Sequence, residues 1–143
     1  MAYEPAQETD VRETVGKFFR LLGEGDVGGV ADVFTEEIDW YVPGDEKVLA
    51  WVGRRTRRDE VPGYFMALGS AFDPAQGGTN IDKILVDGAD AVALCTFSLV
   101  VRSNGRRFSM PVAFHFTVES GRLVRLHLYE DTELVARNVT ASG

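Results

Sequence analysis

The chain has 143 residues, 45% hydrophobic, 26% charged and 10% aromatic. A chain of this size buries roughly 68–70% of its unfolded surface, so one domain over residues 1–143 is expected, with its core at about 11–139. Fifteen Lys and Arg against twenty-two Asp and Glu leave a net charge of −7, which argues against nucleic acid or an anionic membrane as the main partner.

Cys95 stands alone, so no internal disulfide can form, and the usual Cys and His spacings of a zinc site are absent. Residues Met1 to Asp10 are polar and offer no signal peptide. No apolar run approaches the roughly 20 residues that a membrane helix needs. These features predict a cytoplasmic protein.

Asp10 and Glu13 have the spacing of a capping box. Val11, Val15, Phe18 and Leu22 then fall on one helical face, and Gly23 ends the run. A second helix is predicted from Asp26 to about Phe34, although Gly28 and Gly29 each weaken it by roughly 1 kcal/mol relative to Ala. A strand over Glu37–Val42 is closed by Pro43-Gly44. The third helix begins near Asp59 and turns Val61, Phe65, Leu68 and Phe72 inward, with Pro62 tolerated in its first turn.

After Gly78 the pattern is strands: Ile81–Val86, Ala89–Arg102, Arg107–Val118 and Arg122–Glu130. Turns at Asp87-Gly88, Asn104-Gly105 and Ser120-Gly121 join them, and Asp131 caps a short segment Glu133–Arg137. Helices gathered on one face of a curved antiparallel sheet make an α+β fold.

With these elements in order, the chain resembles the nuclear transport factor 2-like superfamily, in particular its SnoaL-like branch. The resemblance runs from about Val11 to Val139. It rests on Phe18-Phe19-Arg20-Leu21-Leu22 ending at Gly25-Asp26, on Asp39-Trp40-Tyr41-Val42-Pro43-Gly44 and on Trp51-Val52-Gly53-Arg54. Further carriers are Arg58-Asp59-Glu60-Val61, His115-Phe116-Thr117-Val118, Gly121-Arg122-Leu123 and Tyr129-Glu130-Asp131-Thr132. The resemblance implies a cone, also described as a cystatin-like roll, in which the curved antiparallel sheet wraps three helices from the first half of the chain. A pocket then opens at the wide end. The superfamily includes ketosteroid isomerases, limonene epoxide hydrolases, polyketide cyclases, dehydratases and non-enzymatic binders, so the fold alone selects no activity.

Strand parity sorts the candidate residues. Val124, Leu126, Leu128 and Glu130 share the face expected to look into the cone, opposite Leu123, Arg125, His127, Tyr129 and Asp131. Glu130 is then either a carboxylate on the rim of an apolar pocket, with a raised pKa, or a solvated strand end. The cyclases and epoxide hydrolases resembled here carry an acid/base Asp where Leu128 stands. Ketosteroid isomerases place their base at Tyr41 and an oxyanion-hole Tyr at Phe18, so a steroid isomerase mechanism is disfavoured. Asp39 and Tyr41 repeat the spacing of the water-holding pair of the epoxide hydrolases. His115 is a reserve base that faces either the pocket or the outer surface.

Phe18, Trp51, Phe65, Phe114, Leu126 and Leu128 are predicted to line the pocket, with Tyr64 and Phe97 as further walls. Gly23-Glu24-Gly25-Asp26-Val27-Gly28 satisfies G-x-G-x-x-G but follows a helix, so no dinucleotide site is expected. Arg54-Arg55-Thr56-Arg57-Arg58 reads as a solvated loop or an attractor of anions. The resulting expectation is an acid/base enzyme without cofactor or metal, a cyclase, isomerase, dehydratase or epoxide hydrolase acting on a hydrophobic small molecule as a homodimer. The alternative is a non-catalytic binding or interaction domain.

Overall fold

The computed structural model describes residues 5–142. Its elements run α1 (Pro5–Gly23), α2 (Val27–Asp32), β1 (Phe34–Val42), β2 (Gly53–Arg57), a 3-10 turn (Arg58–Glu60), α3 (Val61–Ala71), β3 (Gly78–Asp87), β4 (Asp90–Val100), β5 (Arg107–Glu119), β6 (Arg122–Tyr129) and α4 (Thr132–Thr140). The six strands form one curved sheet in the order β2-β1-β6-β5-β4-β3. The α+β architecture is the expected one, with two refinements. The sheet is mixed, because β1 pairs in parallel with β6, and a fourth helix follows the last strand.

Among the described residues helix α1 runs from Pro5, ahead of the Asp10–Glu13 signal. Asp10 lies inside it, where its carbonyl accepts from the Thr14 hydroxyl at 2.8 Å. The face Val11, Val15 and Phe18 is buried as patterned. Helix α2 is capped by Asp26, whose carboxylate accepts from Gly29 N at 2.9 Å. It ends at Asp32 rather than Phe34, because Phe34 opens β1 and takes Leu123 as its ladder partner.

Strand β2 carries the basic run that reads as a loop in sequence, since Arg-Arg-Thr-Arg shows no apolar alternation. It is an edge strand, and charge there discourages pairing with another chain. Its cations are engaged individually. Arg54 lies 3.6 Å from Asp39 and Arg57 3.1 Å from Glu36, while Arg55 donates to Trp51 O at 2.9 Å.

On the inner face of the sheet, Trp40, Leu126, Phe116 and Ala91 stand side by side across β1, β6, β5 and β4. Phe114 and Phe116 stack at 5.6 Å with planes 2° apart. The turn from β5 to β6 places Ser120 at φ 50° and Gly121 at φ 75°, the left-handed pair that a two-residue hairpin requires. Just beyond it the β5–β6 register shifts between Thr117 and Val118. This bulge reverses the parity expected for the start of β6. Leu123 turns inward and is 0% exposed, instead of facing outward.

Asp131 caps α4 by accepting from Leu134 N at 3.0 Å. Asp131→Ala should therefore cost about 1 kcal/mol in denaturant unfolding. A loss below a few tenths would show that the cap contributes nothing.

Candidate functional site

An apolar cavity of about 490 Å³ lies between the inner face of the sheet and the helices, within the size range of small-molecule sites. Helix α1 contributes Phe19 and Leu22, α3 contributes Tyr64, Phe65 and Leu68, and α4 contributes Val135. The sheet contributes Trp40, Phe97, Phe114, Leu126 and Leu128. Five of the six residues predicted to line a pocket border it: Trp51, Phe65, Phe114, Leu126 and Leu128. Phe18 does not. It is 1% exposed, with its ring 5.2 Å from Phe116 and 6.2 Å from Phe34. One residue along the helix turns by about 100°, and that step gives the cavity position to Phe19.

Glu130 follows β6 and continues the inward set of Leu126 and Leu128 to the cavity wall. Burial pushes its carboxyl up to about 7, with no hydrogen bond or neighbouring charge acting against it. At neutral pH it is divided between acid and base forms, the condition for moving protons in either direction.

Besides Asp73 and Thr79, two further polar groups, on Tyr64 and Trp40, border the same space. Tyr64 is 7% exposed. Its phenol is held neutral well above the usual range, first by burial and then by the Glu130 charge, with Arg55 opposing. The Arg55 guanidinium lies 5.3 Å from the centre of its ring. Trp40 Nε1 is buried without a hydrogen-bond partner, an arrangement that costs on the order of 1–3 kcal/mol. The Trp40 and Tyr64 rings meet at 4.9 Å and 67°.

Asp39, Tyr41 and His115, expected as catalytic partners of Glu130, lie on the opposite face of the sheet. The reason is alternation: Ile38, Trp40 and Val42 take the inner side of β1 and are buried, so residues 39 and 41 point outward. There Asp39 accepts from Arg125 Nε at 2.9 Å and from His127 Nε2 at 2.8 Å. The hydrogen bond from His127 is the main reason its carboxyl is held below the usual range. His115 Nε2 donates to Asp90 at 2.9 Å, and Thr117 donates to the same carboxylate at 2.6 Å. His115 and His127 are cross-strand partners, with ring centres 6.3 Å apart. The outer face thus carries a polar network that is separated from the cavity by the sheet.

Sequence reading missed the polar role open to Tyr64, which patterns as an ordinary wall. The available signal was a phenol within the apolar stripe Val61, Phe65 and Leu68, where a hydroxyl is carried into a dry environment. Cys95 is buried, and its thiol is pushed up to about 11, chiefly by burial, which makes it a poor nucleophile. Among the described residues, no helix is long and apolar enough to cross a membrane and no group of three or more His, Cys, Asp or Glu could hold a metal.

Comparison with solved structures places this architecture among known relatives. A protein of unknown function from Burkholderia pseudomallei, described as nuclear transport factor 2-like, is 21% identical over 92% of this chain and 98% of its own, with a TM-score of 0.84. A candidate SnoaL-like polyketide cyclase from Jannaschia is 17% identical over 100% and 99%, with a TM-score of 0.79. TerC, co-crystallised with polyporic acid, is 12% identical over 92% and 99%, with a TM-score of 0.81. At these identities the likeness shows the fold alone. No curated protein matches the sequence. The profile of the SnoaL-like domain matches residues 15–126, most of the chain. The chain therefore belongs to the SnoaL-like domain family of the nuclear transport factor 2-like superfamily.

Proposed function

We propose that this chain is a cofactor-independent acid/base enzyme, a cyclase, isomerase or dehydratase, that holds a hydrophobic small molecule in the cavity and moves a proton through Glu130. The observation that supports it is a carboxyl without a hydrogen-bond partner on the wall of an apolar cavity of about 490 Å³, with its pKa at about 7. The polyporic acid co-crystallised with TerC makes a flat cyclic molecule a reasonable choice of ligand. Epoxide hydrolysis has less support, because Asp39 and Tyr41 stand on the outer face and cannot hold a water opposite Glu130.

The test is proton exchange in D2O with flat ketones such as 1-tetralone, followed by NMR, and ring opening of indene oxide as the epoxide control. Acceleration of exchange that Glu130→Gln removes supports the reading. A specific observation favours a second one: Asp39, Tyr41 and His115 lie outside, and the other carboxyl on the wall, Asp73, is engaged by Ala75 N and Gln76, so among the described residues Glu130 has no free acid/base partner in the cavity. Ligand binding without turnover on any panel member would make the protein a binding domain.

The assembly proposed is a homodimer through the outer face of the sheet. Leu94, Ala113 and Tyr129 form a row across β4, β5 and β6, and Leu94 and Tyr129 are 39% and 57% exposed. A second copy would cover this row and the neighbouring network. Light scattering at tens of micromolar, roughly where a standard-size interface stays closed, should give a dimer, and Tyr129→Glu should shift it toward monomer. A monomeric wild type overturns the proposal.

A further inference from the structure

Tyr64 differs from the other aromatic walls of the cavity in one respect: it brings a hydroxyl to a mostly apolar wall. The residue is 7% exposed, it borders the cavity together with Glu130, and no hydrogen bond of the protein acts on its phenol, which only burial and the nearby charges of Glu130 and Arg55 perturb. A buried hydroxyl usually has a partner, and one left open to a ligand cavity is a group waiting for an acceptor.

Its position is well fixed. Tyr64 lies on α3, its ring is packed edge-on against Trp40 at 4.9 Å and Phe65 at 4.9 Å, and Arg55 covers it from β2 at 5.3 Å. Arg55 is itself anchored, by a 2.9 Å hydrogen bond to Trp51 O. A donor held this rigidly loses little entropy when a ligand arrives. Because the phenol stays protonated across the physiological range, it offers a hydrogen rather than a charge, so the ligand group it suits is an oxygen acceptor.

We propose that Tyr64 is the specificity-determining residue of the cavity, donating its phenolic hydrogen to a carbonyl oxygen on a flat, otherwise apolar ligand. The cavity then selects ring ketones over hydrocarbons of the same shape. This rests on the reading of the cavity as a small-molecule site and names its substrate class. Glu130 would act on the carbon skeleton beside the oxygen that Tyr64 holds.

The experiment compares two probes of nearly equal shape, 2-acetylnaphthalene and 2-ethylnaphthalene, by titration calorimetry against the wild type, Tyr64→Phe and Glu130→Gln. The wild type should prefer the ketone by about tenfold, the scale of one well-placed hydrogen bond. Tyr64→Phe, which keeps the ring and its packing, should bring the ratio of the two affinities close to one. Glu130→Gln should keep the preference, so a loss of proton exchange without a loss of selectivity separates the catalytic reading from this one. Equal affinities in the wild type, an unchanged ratio in Tyr64→Phe, a parallel loss of both probes in that variant, or no binding of either probe at 1 mM would each overturn the proposal.

Discussion

Glu130→Gln should lower turnover by 10²–10⁴-fold on any substrate that the exchange assay verifies, which is roughly 3–5 kcal/mol of barrier. The expectation follows from the chemistry left in the cavity. Of the two carboxyls on its wall, Asp73 is tied to Gln76 and the Ala75 N–H, which hold it below the usual range, and the phenol of Tyr64 is held too strongly protonated to serve as a base. The histidines are out of reach, His115 beside Asp90 and His127 beside Asp39 on the far side of the sheet. Gln preserves shape and loses the transferable proton, so ligand affinity should change little while turnover falls. Asp39→Asn and His115→Ala serve as controls and should leave turnover within a few-fold of wild type. Full activity in Glu130→Gln would end the acid/base assignment. Its loss in His115→Ala alone would move the site to the outer face.

The second large effect concerns stability against pH. Folding raises the Glu130 carboxyl from its ordinary 4.5 to about 7, so the native state binds this proton more tightly than the unfolded chain does. The resulting stabilisation is fully present below pH 4.5 and is lost as pH rises through about 7. A difference of that size corresponds to about 3 kcal/mol. At pH 8.5 the wild type carries an ionised carboxylate in an apolar wall, and Glu130→Gln does not. The variant should then be more stable by up to about 3 kcal/mol, roughly 6–12 °C in melting temperature, while at pH 4 the two should melt together. Parallel pH profiles for the two proteins would show that Glu130 is not desolvated. The same measurement addresses function, because a site group that costs stability in its working state is the usual signature of a trade-off between activity and stability.

The pattern of the chain was sufficient for the elements with a clear period. The α1 stripe, the alternation of Val112, Phe114 and Phe116 on β5 and the glycine turns are local statements, because each depends on side chains a few residues apart. The same alternation placed Glu130 on the inner face beside Leu128, and this holds because the strand is regular from Leu126 to its end. Where the pattern carried no period, only pairing could decide. Strand β2 is an edge element made of arginines, stabilised by hydrogen bonds to β1 that leave no hydrophobic trace in the sequence.

Tertiary structure alone decided which polar residues share a space. Asp39 stands two residues before Tyr41 and Glu130 directly after Tyr129; alternation sorts the two faces within each strand, but only the pairing of the strands says which faces coincide. The inward turn of Trp40 and the parallel pairing of β1 with β6 put Asp39 outside with Arg125 and His127. One bulge, between Thr117 and Val118, turned Leu123 inward while leaving Leu126 and Leu128 where parity put them, since an extra residue reverses every side chain before it and none after. The meeting of Tyr64 with Glu130 joins a helix to a strand end more than sixty residues away. It depends on the curvature that closes the sheet over α3, a property of the whole assembly of strands and helices and of no segment within it.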